Sequence, residues 1–173
     1  MQGNHKSPGT VLFDLFEKSP LKNQKRGLIM RAVVTRVKEA SVTIDGKTVG
    51  HIDKGLMVLL GVSVEDNEEI AGWVADRICG LRIFEDEQGK MNINPKDAGA
   101  DILIVSQFTL YADISSRRPG FTQAARPDQA IPLYELVIDE CRRAGFHVET
   151  GEFGADMLVA SVNDGPVTII IEK

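Results

Sequence analysis

The chain has 173 residues, of which 43% are hydrophobic and 26% charged, an ordinary globular composition suited to one domain with a real core. No apolar run is long enough to span a bilayer, and the N-terminus lacks the pattern of a secretory signal, so a cytoplasmic setting with no membrane contact is the default expectation. Residues 1–29 hold five basic and two acidic residues, net +3, whereas the remainder holds 15 basic and 23 acidic, net −8; a domain at −8 is not built to coat nucleic acid non-specifically, and any contact with it should be local.

Residues 1–29 mix Gly, Pro, Ser, Asn and Lys with one short amphipathic patch and read as an N-terminal extension expected to be flexible. A regular pattern begins at Met30, and the domain is expected over 30–173. MRAVVTRVKEASVTID is rich in β-branched residues, and Asp45-Gly46 after it is a hairpin signal leading into TVGHID. LMVLLGVSV at 56–64 predicts a fully apolar strand. Asp66 then opens a helix, with Glu69 in capping-box spacing and Ile70, Trp73, Val74, Ile78 and Leu81 on one face. LRIFEDEQGKMNIN predicts two short strands about a turn at Gly89, and DILIVSQFTLYA a central strand. An irregular loop follows, and Pro132 starts a second helix that carries Leu133, Leu136, Val137 and Cys141 inward and ends at Gly145. HVETG, MLVASVN and PVTIIIE predict closing strands, the last two joined by a turn at NDGP. Hairpins outnumber crossovers, so the fold class is α+β with mostly antiparallel or mixed sheet, and two main helices outside it.

Cys79 and Cys141 lie far apart on separate predicted helices in no metal spacing, and read as reduced thiols. His5, His51 and His147 form no cluster, so neither a metal site nor a Ser-His-Asp triad can be assembled.

Four stretches place polar or apolar residues where chemistry could use them. In SQFTLYAD, a regular strand would put Ser106, Phe108 and Leu110 on one face and Gln107, Thr109 and Tyr111 on the other. That second face could floor a pocket, or it could simply be wetted, as one side of an antiparallel sheet often is. NDGPVT reads as a turn with Pro166 opening an edge strand. Arg117 and Arg118 could clamp a phosphate or be solvated. Phe153 and Met157, among the glycines of GEFGADM, could face a planar ligand or belong to the core.

In this order, with MRAVVTRV at 30–37, LRIFEDEQGKMN at 81–92 and RRPGFTQA at 117–124, these motifs resemble the D-aminoacyl-tRNA deacylases. The resemblance covers residues 30–173 and implies a fold of β-sheets curled into a barrel-like core. It implies hydrolysis of the ester between a D-amino acid, or glycine, and the 3′-terminal adenosine of tRNA, with no cofactor and no metal. It implies that Ser106, Gln107, Phe108 and Thr109 form the catalytic segment, that Phe153 and Met157 hold the terminal adenine, and that Arg36 braces the NDGPVT loop. It further implies a homodimer in which Gly165 and a cis Pro166 enter the partner's active site and reject L-amino acids. Thr109 has the hydroxyl of a nucleophile, yet no base sits near it in sequence; a role for the substrate's ribose 2′-OH in activating water fits better. A catalytically silent tRNA- or DNA-associated module on the same fold is the alternative.

Overall fold

The computed structural model describes residues 29–173; all of the N-terminal extension but Ile29 lies outside the described residues. The domain is α+β. Its main sheet runs β2-β1-β3-β6-β7, where β1 is Arg31–Ile44, β2 Lys47–Ile52, β3 Gly55–Gly61, β6 Asp101–Ser106 and β7 Val148–Thr150. β8, Leu158–Glu172, pairs with β1 along its other edge. β4 (Phe84–Glu85) and β5 (Met91–Ile93) make a separate hairpin, and α1 (Glu68–Gly80) and α2 (Pro127–Arg143) complete the fold.

The sheet curls until its two ends meet. A Cβ on Gly50 of β2 would stand 2.5 Å from the Thr150 carbonyl oxygen of β7. Only glycine allows the barrel to close that far.

The curl gives the protein two cores, which explains why β6 is apolar on both faces. Ile102 and Ile104 point outward into the cluster that α1 and α2 cover, with Val58, Val74 and Val137. Leu103 and Val105 point inward, against Val37, Ala40, Val42 and Ile52. The β6 pairings to β3 and β7 are parallel, whereas the β1 pairings are antiparallel, so the sheet is mixed.

The hairpin at Asp45-Gly46 forms as expected, both residues having positive φ (49° and 75°), the conformation its tight turn needs. Gly89 likewise turns between β4 and β5 at φ 73°. Four local expectations are corrected. The cap of α1 is Asn67, whose Oδ1 accepts the Ile70 N–H at 3.0 Å. Asp66 instead turns inward, its two carboxylate oxygens accepting the N–H groups of Met30 (2.6 Å) and Ser63 (2.7 Å). α2 begins at Pro127 in the first helical turn, with Pro132 inside the helix. β6 ends at Ser106, and NDGP is no hairpin turn but a bulge within the single strand β8. Among the described residues no helix is long and apolar enough to cross a membrane.

Candidate active site

The strand predicted through SQFTLY breaks at Ser106, and Phe108–Tyr111 wind into one 3₁₀ turn. The two-faced alternation expected there is therefore lost. Tyr111 swings into the core and its hydroxyl donates to the Ile29 carbonyl at 2.9 Å. Burial pushes the Tyr111 phenol well above its usual range. Gly61 makes room for this turn, since a Cβ there would meet the Tyr111 ring at 2.9 Å and the Gln107 carbonyl oxygen at 3.1 Å. Nothing in sequence spacing pointed to Gly61, which lies 46 residues before Gln107.

Inside the turn, the Gln107 side-chain amide donates to Thr109 Oγ1. Thr109 is exposed, and that amide is the partner its hydroxyl finds; among the described residues no carboxylate or imidazole is hydrogen-bonded to it. The N–H groups of Phe108 and Thr109 open the turn and, among the described residues, meet no backbone acceptor. They remain available to a ligand, as the first N–H groups of a helical turn generally are.

A cleft of about 320 Å³ joins this segment to the second motif. One wall is Val105, Ser106, Gln107 and Phe108; the other runs from Phe153 to Met157. Phe153 and Met157 are both half-buried and face the cleft rather than only the core. The Phe153 ring leans edge-on against Tyr134 of α2, centroids 6.0 Å apart, and the Tyr134 hydroxyl is tied to the Ile104 carbonyl at 2.8 Å. That burial lifts the Tyr134 phenol to about 12. Gly151 lets Met157 fold back, because a Cβ there would fall within 2.4 Å of its sulfur. Across the cleft mouth Phe108, 55% exposed, meets Phe121 edge-to-face at 5.0 Å. Asp156 is the one ionisable side chain in the cleft lining. It belongs to the GEFGADM motif, but sequence reading singled out only the apolar members.

Arg36, Gly165 and Pro166 assemble elsewhere. Thr35 pairs with Thr168 and Val37 with Asn163, so four residues of β8 stand opposite Arg36 alone and bulge outward. The Gly165-Pro166 peptide in that bulge is cis, and both residues are exposed. Arg36 is buried, 4% exposed, and its guanidinium donates to the Asp164 carbonyl (3.2 Å) and the Ile83 carbonyl (2.6 Å). It also pairs with the Asp164 carboxylate at 3.3 Å and faces Glu85 at 3.6 Å. Asp164 thus completes a bracket of which the sequence revealed only the arginine. Neither Gly165 nor Pro166 lines the cleft of its own chain.

Among the described residues β8 has no strand partner on its outer edge, and it exposes Leu158 (75%), Val162 (51%) and Ile170 (62%). Arg117 and Arg118 are exposed in the loop that leads from the 3₁₀ turn to α2. Among the described residues no group of three His, Cys, Asp or Glu side chains could hold a metal ion.

Residues 33–172 match the family model described as D-Tyr-tRNA(Tyr) deacylase. Similar proteins include D-aminoacyl-tRNA deacylases from Symbiobacterium thermophilum and Brevibacillus brevis. The first is 56% identical over 147 residues, covering 84% of this chain and 97% of the relative. The second is 58% identical over 145 residues, covering 83% of this chain and 100% of the relative. Among solved structures, one titled "c-Myc DNA Unwinding Element Binding Protein" superposes with TM-score 0.79 at 39% identity, covering 83% of this chain and 98% of that one. Another, of a probable eukaryotic D-amino acid tRNA deacylase, gives TM-score 0.73 at 18% identity over 83% of this chain and 99% of that one, a likeness of fold.

Proposed function

The chain belongs to the D-Tyr-tRNA(Tyr) deacylase family, and from that membership we propose that its cleft removes a D-amino acid from the 3′-terminal adenosine of tRNA. The protein is a hydrolase of ester bonds. The observation that carries the reading to this site is the convergence of the SQFTLY turn and the GEFGADM loop on one cleft.

An aminoacyl ester is already activated, so hydrolysis needs a placed water and a site for the oxyanion. In our reading the Phe108 and Thr109 N–H groups, which have no backbone acceptor, supply that site. Ser106 and Gln107 shape the floor beneath it, and Gln107 holds the Thr109 hydroxyl. Thr109 is then no nucleophile; the ribose 2′-OH of the substrate orients or activates the water. Phe153 and Met157 sandwich the terminal adenine. Arg117 and Arg118 reach the phosphates of the 3′ end, a local contact in keeping with a domain of net charge −8.

Selection against L-amino acids rests on Gly165 and Pro166. Proline has no N–H, so the pair presents carbonyls without a competing donor. Two carbonyls would hold the substrate ammonium and leave an L side chain no room, which is rejection by clash. Glycine has no side chain to reject and is accepted. Because the pair stands outside its own cleft, it acts in a homodimer, closing the cleft of the other subunit. The unpaired edge of β8 and its exposed apolar side chains support that assembly. Arg36 and Asp164 keep the bulge in place for it.

The 39% identical relative named for DNA binding favours a second reading, a nucleic-acid module without turnover. Incubating the purified protein with D-tyrosyl-tRNA and with a D-tyrosine ester lacking tRNA separates the possibilities. Release of free D-tyrosine from the tRNA substrate alone supports the proposal. Binding without release supports the module, and equal hydrolysis of both substrates indicates a general esterase.

A further inference from the structure

The 3₁₀ turn of the candidate active site has only four residues, Phe108–Tyr111. A turn that short, with the strained hydrogen bonds of its class, needs anchors outside itself. At its entry the Gln107 N–H donates to the Leu60 carbonyl of β3 at 2.8 Å. At its exit the Arg31 guanidinium donates to the Leu110 carbonyl at 2.6 Å. Among the described residues that carbonyl meets no backbone N–H, as the last carbonyls of a helical turn generally do not. The guanidinium is therefore what closes the turn, and it comes from the first residue of β1, 79 positions earlier.

Arg31 is itself held. Its register partners are Gly61 on β3 and Glu172 on β8, and its side chain forms an ion pair with the Glu172 carboxylate. The guanidinium carbon lies 5.6 Å from the centroid of the Tyr111 ring, a cation–π contact with the last residue of the turn. The backbone just before it is tied as well: the Ile29 carbonyl accepts from the Tyr111 hydroxyl, and the Met30 N–H donates to Asp66. Arg31 does not line the cleft.

We propose that Arg31 is a positioning residue for the reaction. Its charge-assisted bond to Leu110 holds the turn so that the Phe108 and Thr109 N–H groups point together at the reacting ester, and Glu172 keeps Arg31 in place. The inference rests on the reading of that turn as the oxyanion site. A guanidinium can serve Leu110 and Glu172 through separate nitrogens of one plane; an ammonium has a single nitrogen for both. Displacing the turn by about 1 Å costs on the order of a hundredfold in rate. The loss falls on chemistry rather than binding, because Phe153 and Met157 on the other wall still take the adenine.

The test compares the full chain with Arg31→Met, Arg31→Lys and Glu172→Gln, in hydrolysis of D-tyrosyl-tRNA and in amide hydrogen exchange without substrate. Arg31→Met should lower kcat about ten- to a hundredfold and leave KM within about twofold. Arg31→Lys should recover part of that loss, and Glu172→Gln should show a smaller fall in kcat. The Leu110 and Ala112 amides, which donate to the Gln107 and Thr109 carbonyls, should exchange faster in Arg31→Met, while the amides of α2 keep their rates. Should Arg31→Met fail to fold, Arg31→Lys and Glu172→Gln must show the same directions in kcat and in exchange. The inference is overturned by an unchanged kcat, by a loss carried by KM alone, or by unchanged exchange at Leu110 and Ala112. An unaltered chain that releases no D-tyrosine overturns the proposed function and this inference with it. One that does release it, with Arg31→Met equally fast, overturns this inference alone.

Discussion

Replacing Arg36 with glutamine removes the bracket beneath the Gly165-Pro166 bulge. The Arg36 side chain is only 5% exposed and keeps close contact with one buried carbonyl, at Ile83, and with Asp164. Leaving the Ile83 carbonyl without its charged donor costs about 2 kcal/mol. The Asp164 side chain is 34% exposed, so water replaces part of what it loses, and its share falls to about 1 kcal/mol. Together these give about 3 kcal/mol, or roughly 6–12 °C in melting temperature for a domain of this size. Urea unfolding of the unaltered protein, Arg36→Gln and Arg36→Lys measures it directly. The lysine variant keeps the charge but not the planar fork, and should recover roughly half of the loss. The same variants should deacylate D-tyrosyl-tRNA more slowly and narrow the ratio of D to L rates, because the bulge is no longer held in register. A glutamine variant within about 0.5 kcal/mol of the unaltered protein, with its D-to-L ratio intact, would refute the bracket.

Thr109→Ala should retain most of the single-turnover deacylation rate, and a fall of roughly a thousandfold or more would make the hydroxyl a participant. Gly165→Ala should destabilise the domain by about 1–3 kcal/mol in urea unfolding, because φ is +122° there and the new methyl would lie 2.7 Å from a Val167 methyl and 3.2 Å from the Arg36 guanidinium. Asp66 has its carboxyl raised from 3.8 to about 6, chiefly by burial, against which the Ser63 and Met30 N–H groups work. The folded state therefore holds this proton more tightly than the unfolded chain, so the stability it confers is present below pH 4 and lost as pH rises through about 6, by about 3 kcal/mol; unfolding from pH 4 to 7 should show that decline, and Asp66→Asn should flatten it. Arg117→Ala with Arg118→Ala should raise KM more than it lowers kcat and make the salt dependence of KM shallower, which steady-state assays at several ionic strengths would read.

The sequence made visible those features whose physics is local. The Asp45-Gly46 hairpin, the Gly89 turn and the apolar β3 follow from turn chemistry and hydrophobic runs, and all three are where they were expected. The apolar stretch of β6 was legible as a strand, but its end was not. Continued hydrophobicity through Phe108 and Leu110 suggested more strand, and what breaks it is the space that Gly61 of a neighbouring strand leaves for the Tyr111 ring. The same holds for Asp66: local spacing favoured a helix cap, yet the carboxylate answers to Met30, 36 positions away, and Asn67 caps instead. In β8 the Pro and Gly of NDGP mark a local departure from regular strand, but not the turn between two strands that they suggested. That the chain resumes the same strand afterwards depends on pairing with β1.

The central claim is that the cleft between the SQFTLY turn and the GEFGADM loop hydrolyses D-aminoacyl-tRNA and spares its mirror image. One measurement tests it most directly: kcat/KM of the purified full chain for D-tyrosyl- and L-tyrosyl-tRNA prepared on the same tRNA. The account predicts rapid release of D-tyrosine and L-tyrosyl-tRNA that decays no faster than it does without enzyme. Equal rates for the two enantiomers, or no release of either, would contradict it.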